Sequence, residues 1–106
     1  MSERKIPSKH YHYLAELYPE PLAFLEDLGV ALRDAGPIAG KTADLIQLAA
    51  AAAIQSEGAV HSHTRRALEA GASTEEINHA LLLLVSTIGF PRAAAAMSWA
   101  KDVIEK

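Results

Sequence analysis

The chain contains no cysteine, which removes disulfides, thiolate zinc sites and iron–sulfur clusters from consideration. Aromatic residues are scarce too, 6% of the 106 positions, although half of all residues are hydrophobic. Long apolar runs are missing: the longest uninterrupted stretch, 48–54, falls far short of the ~20 residues a membrane-spanning helix needs. Residues 1–20 are polar and hold prolines and histidines, unlike the apolar core of a secretory signal. Basic charge is not concentrated either. Lysine and arginine number ten against thirteen acidic residues, a net charge of −3, and the densest basic spots are Arg4-Lys5 and Arg65-Arg66. Neither nucleic acid nor a membrane is expected as a partner. The lack of cysteine fits a reducing compartment, so a soluble, cytoplasmic protein is expected.

What is present is alanine, which dominates the apolar set. Alanine favours helix strongly but buries little area per side chain. A chain of this length buries only about 60–65% of the surface its unfolded form exposes. A thin core of small residues gains from close helix packing and from self-association, so an oligomer is expected on physical grounds.

The pattern along the chain is helical throughout. Residues 1–10 are charged and carry Pro7, which suits a peripheral arm, leaving 11–106 as a single domain. A helix beginning near Tyr11 is interrupted by Pro19 and Pro21, either of which can occupy the first turn of the next helix. There Leu22, Leu25, Leu28 and Leu32 recur at helical spacing, and Gly36-Pro37 ends the segment. Thr42 is the expected cap of a helix that runs to about Gln55. Ser56-Glu57-Gly58 makes a short break, and the following helix ends at Gly71, a natural left-handed terminator. Ser73-Thr74-Glu75-Glu76 has the form of a capping box. The helix it starts, expected over 75–88, is apolar nearly all round, so a second surface must cover it. Gly89-Phe90-Pro91 breaks the chain before a last helix containing Met97, Trp99, Val103 and Ile104. Trp99 and Phe90 are expected as core or interface anchors. No strand pattern occurs. The fold class is all-α, an antiparallel bundle of five to six helices with short loops.

Four stretches carry a resemblance. Asp44-Leu45-Ile46 precedes Ser56-Glu57-Gly58-Ala59-Val60-His61-Ser62-His63; then comes Ala67-Leu68-Glu69-Ala70-Gly71-Ala72-Ser73-Thr74-Glu75-Glu76-Ile77, and later Gly89-Phe90-Pro91-Arg92-Ala93-Ala94. In order and spacing they resemble the carboxymuconolactone decarboxylase/alkylhydroperoxidase-D superfamily, over roughly residues 20–105. The resemblance implies that family's helical bundle, a homotrimer or homohexamer, and no cofactor. It places Asp44 where the peroxidase-like branch has a glutamate, Ser56 and Ala59 on its two cysteines, and His63 on its proton-relaying histidine. Without either sulfur, thiol peroxidase and disulfide reductase chemistry are excluded. The closer comparison is the cysteine-free, decarboxylase-like branch, which implies proton transfer or decarboxylation on a small organic acid or lactone.

The site expected from this combination has His63 as general acid/base, with Asp44 orienting the ring or tuning it. A helical side chain leans toward the N-terminus, which tilts His63 over the turn at Ser56 and Ala59. Ser56, Glu57, Ala59 and His61 would line a pocket, and Arg65 could hold a substrate carboxylate. Each has a plainer alternative. Asp44, two residues after Thr42, would suit the first turn of a helix through the dipole. Ser56 is a conventional N-cap, and as a nucleophile it would sit about 10 Å along the helix from His63. Glu57 and His61 are spaced to meet as a surface pair. His79 suits a helix surface or a subunit contact. No metal is assigned: in His10-x-His12 and His61-x-His63 the side chains would point about 200° apart on a helix, and only an extended backbone would let the first pair chelate. Two functions are therefore carried forward, a cofactor-free enzyme and a homo-oligomeric scaffold or ligand-binding protein that has lost the family chemistry.

Overall fold

A computed structural model describes residues 9–106. The Arg4-Lys5 pair, Pro7 and most of the expected arm lie outside the described residues. Seven helical segments follow one another: α1 (Lys9–Leu17), α2 (Pro19–Asp34), α3 (Gly40–Ala53), α4 (Glu57–Glu69), α5 (Thr74–Leu82), the single turn α6 (Val85–Ile88) and α7 (Phe90–Ile104). No strand occurs among the described residues, so the all-α class holds. No helix among them is long and apolar enough to cross a membrane.

The chain divides into two compact units, Met1–Ala39 and Gly40–Lys106. In the first, α1 and α2 pack on each other, and the Tyr11 hydroxyl donates to Glu26 Oε2 at 2.9 Å. Pro19 opens α2, where its missing N–H costs no bond. Neither helix holds a buried residue. Phe24, Leu25, Leu28 and Leu32 of α2 are all more than half exposed.

The second unit has the core. Leu48, Val60, Ile77 and Leu81 are fully buried, and seven of the eleven buried apolar residues are alanines. Ala52, Ala67, Ala96 and Ala100 put almost nothing between neighbouring backbones, so α3, α4 and α7 approach closely. Leu68, Leu84, Met97, Trp99 and Ile104 close the margins. Trp99 thus anchors the core, whereas Phe90 is 65% exposed.

Local signals set most boundaries. Ser73 Oγ accepts from the Glu76 amide at 3.0 Å, while Glu76 Oε1 accepts from the Ser73 amide at 2.9 Å: the capping box is complete. Gly71 at φ +100° terminates α4, and Gly89-Phe90-Pro91 starts α7 with the proline in its first turn. Three expectations change. The helix α3 begins at Gly40, so Thr42 lies inside it and does not cap it. It also ends at Ala53, short of Gln55, which takes a left-handed φ of 58°. The expected single helix over 75–88 is broken at Leu83 and Leu84, where the Leu84 amide bonds the Leu81 carbonyl three residues back at 3.1 Å. That tight turn separates α5 from α6 without any glycine or proline to mark it.

Candidate functional site

The residues of interest stand on α3, α4 and α7 of the second unit, and α3 packs on α4 more extensively than any other pair of helices. Asp44 is 2% exposed. Because α3 starts at Gly40, Asp44 occupies its second turn, beyond the positions where the helix dipole favours an acid. Dipole compensation therefore does not account for its place. Its Oδ1 is shielded from solvent.

On α4, His63 is half-buried and its Nδ1 is fully shielded. Thr64, the next residue, is completely buried, and its Oγ1 has no hydrogen-bond partner among the described residues. Ser56 N-caps the helix: its Oγ accepts from the Ala59 amide at 3.3 Å. The Ser56 hydroxyl is thereby engaged with the backbone of Ala59. Ser56 and Ala59 are both half-buried, as is Arg65.

Gln55 was not singled out by the sequence. Its Nε2 donates to the Ala52 carbonyl at 2.7 Å and to the Arg92 carbonyl at 3.2 Å, tying the α3–α4 turn to the start of α7. A left-handed non-glycine residue leaves no local sequence signal; only its bonds, one of them to a residue 37 positions away, account for it.

Glu57 and His61 share a face of α4, one turn apart, as their spacing requires. The third member of the group comes from α7: Asp102 Oδ2 lies 3.1 Å from His61 Nε2. One ligating atom from each of Glu57, His61 and Asp102 falls within 4.8 Å of the others. Asp102 had no signal in the sequence, since nothing local links positions 61 and 102. The other histidines are peripheral. His10 and His12 stand on the helical backbone of α1, so neighbouring imidazoles there point apart and the extended chelate does not form; His10 stacks on Tyr13 with ring centroids 6.2 Å apart. His79 is exposed on α5.

A groove of about 450 Å³ runs between α5 and α7, lined by residues that include Asn78, Met97, Lys101 and Ile104. None of the residues expected at the site lines it.

Residues 19–102 match the family model described as the carboxymuconolactone decarboxylase family. No curated protein matches the chain.

Proposed function

Given that the chain belongs to the carboxymuconolactone decarboxylase family, we propose that it carries out cofactor-free proton transfer on a small organic acid or lactone, with His63 as the proton carrier. The burial of Asp44, an acid withdrawn from water on the helix that packs against that of His63, is the observation that carries this reading. Acids held out of water near an imidazole commonly orient it for acid/base chemistry. Asp44 would be a positioning residue. Ser56 and Ala59 would form the small wall left by the absent sulfurs, Glu57 and His61 the rim, and Arg65 the partner of a substrate carboxylate.

For a lactone acid the step balances without a cofactor. The bond to the carboxylate carbon breaks, CO2 leaves, and its electron pair becomes an enolate on the lactone. Protonated His63 then delivers a proton to carbon and is restored from solvent. The protein's contribution is to favour the enolate and place the proton. No thiol peroxidase or disulfide reductase step is available, because the chain has no sulfur nucleophile of that kind.

The experiment is a screen of carboxylated lactones and small dicarboxylates for CO2 release, with histidine titration followed by NMR. His63→Ala should abolish turnover while leaving the helical content intact, and retained turnover would remove His63 from the chemistry. On this reading Asp44 stands beside His63, so Asp44→Asn should alter the His63 titration. An unchanged His63 titration would remove Asp44 from its role.

Self-association into a homotrimer or homohexamer belongs to the same proposal. It is supported by Phe24, Leu25, Leu28 and Leu32 of α2 and by Leu82 and Leu83 at the end of α5, all more than half exposed, since exposed apolar clusters of this kind mark interaction surfaces. These residues equally favour the second reading, a homo-oligomeric scaffold or ligand-binding protein without catalysis. Light scattering should give a threefold or sixfold multiple of the 11.3 kDa chain, and a monomer at micromolar concentration would remove the assembly. An assembly with no turnover across the screen would establish the scaffold.

A further inference from the structure

The cluster that joins α4 to α7 shares Glu57 and His61 with the proposed pocket rim, but proton transfer at His63 does not call for its composition. It contains one imidazole nitrogen and two carboxylates, drawn from two helices, with the donor atoms within 4.8 Å of one another. We infer that Glu57, His61 and Asp102 form a binding site for a divalent borderline metal ion, best matched by Zn2+, on the surface where α4 meets α7.

The geometry is close to what such an ion needs. Zinc holds nitrogen and oxygen ligands at about 2.0–2.2 Å in a tetrahedral arrangement, which puts neighbouring donors roughly 3.4 Å apart. His61 Nε2 and Asp102 Oδ2 are already at 3.1 Å. Glu57 lies one turn before His61 on the same face of α4 and is exposed, and its carboxylate already lies within 4.8 Å of the other two donors. The three are not equally free. The His61 side chain is 27% exposed and that of Asp102 60%, so a partly buried ring meets solvent-exposed acids that leave an entry path open.

The donor set also selects among ions. Magnesium and calcium take oxygen ligands and gain little from an imidazole, whereas nitrogen with carboxylate suits zinc. With His61 neutral, the two carboxylates balance the charge of the ion and outweigh the partial positive charge of the first turn of α4. Three protein ligands leave the fourth tetrahedral position to water.

The test is calorimetric titration of the EDTA-dialysed, full-length protein with zinc chloride at neutral pH, in parallel with magnesium chloride. One equivalent of zinc per chain and no magnesium heat are expected. Cobalt(II) should give the visible absorption of a four-coordinate ion. Loss of an outer partner alone typically costs roughly 10–100-fold in metal affinity, so His61→Ala and Asp102→Asn should each cost at least that much. Glu57→Gln provides a ligand change at an exposed position where misfolding is not at issue, and it should weaken binding in the same direction. Absence of zinc binding would overturn the site. So would zinc binding that survives His61→Ala unchanged, or that is lost only when His10 and His12 are replaced. Because the readout is binding, it stands or falls separately from turnover at His63.

Discussion

Lys41 Nζ of α3 lies 2.9 Å from Glu76 Oε2 of α5, so one glutamate completes a local capping box and also tethers a second helix. Its Oε1 accepts from the Ser73 amide at 2.9 Å and from Lys41 Nζ at 3.1 Å. These contacts hold the carboxyl below the usual carboxylate range, the Ser73 amide contributing most and Lys41 next. A group whose pKa is depressed by folding stabilises the native state above its unfolded pKa and loses that effect as pH falls through the folded value. Stability should therefore decline between mildly acidic pH and the region below the ordinary carboxylate pKa. Glu76→Gln, which keeps an acceptor for the Ser73 amide but no charge, should flatten the decline. Urea midpoints across this range are the measurement, and parallel curves for the two proteins would contradict the assignment. Ser73→Ala should cost about 1 kcal/mol at neutral pH through loss of the cap.

Gln55 tests whether side-chain bonds sustain a strained backbone. A left-handed non-glycine residue costs roughly 1–2 kcal/mol, while each of its two hydrogen bonds contributes on the order of 0.5–1.5 kcal/mol net. Gln55→Ala loses the bonds and keeps the strain, so it should destabilise by about 1–3 kcal/mol. Gln55→Gly loses the bonds but relieves the strain and should be near neutral. Equal losses in chemical denaturation would show that the φ of 58° is not what distinguishes this position.

The contrast between Ser73 and Gln55 explains what the sequence could disclose. Caps, left-handed glycines and prolines act within four or five residues, so Ser73, Gly71 and Pro91 were readable, and the helical period carried the fold class. Family motifs pointed to Asp44 and His63. Features held by distant partners were not readable: the bond from Gln55 to Arg92, and Asp102 at His61, depend on which helices pack together. The break at Leu83 and Leu84 was invisible for another reason, since a run of leucines has the same helical preference whether or not the chain turns. Thr42 misled because Gly40, at φ +61°, already begins the helix.

Thr64 offers a sharper probe of the core beside the site. Its hydroxyl is buried with no hydrogen-bond partner among the described residues, and an unsatisfied buried polar group costs about 1–3 kcal/mol. Thr64→Val preserves the branched shape and removes the oxygen, so it should raise stability by about 1 kcal/mol. A loss of similar size would mean that the hydroxyl is satisfied in solution, and histidine titration in the same variant would show whether His63 senses the change.

The alanine seam makes the strongest demand on sequence. Ala96 is fully buried on α7, and Ala52 of α3 and Ala67 of α4 are equally buried in the same core. Extra methyl groups in a packed core force side chains off rotamer or helices apart, typically costing about 1–3 kcal/mol. Ala96→Leu should reach the upper end, because Ala96 is fully buried among small side chains on closely packed helices. Leu48→Ala, the opposite change at a fully buried position, should cost about 2–5 kcal/mol through lost burial and a residual cavity. If both variants are destabilised in urea, the core is held by fit as well as by hydrophobic content. If Ala96→Leu is tolerated without loss, α7 must be able to move away from its neighbours, and the Asp102–His61 contact should then weaken along with any zinc affinity.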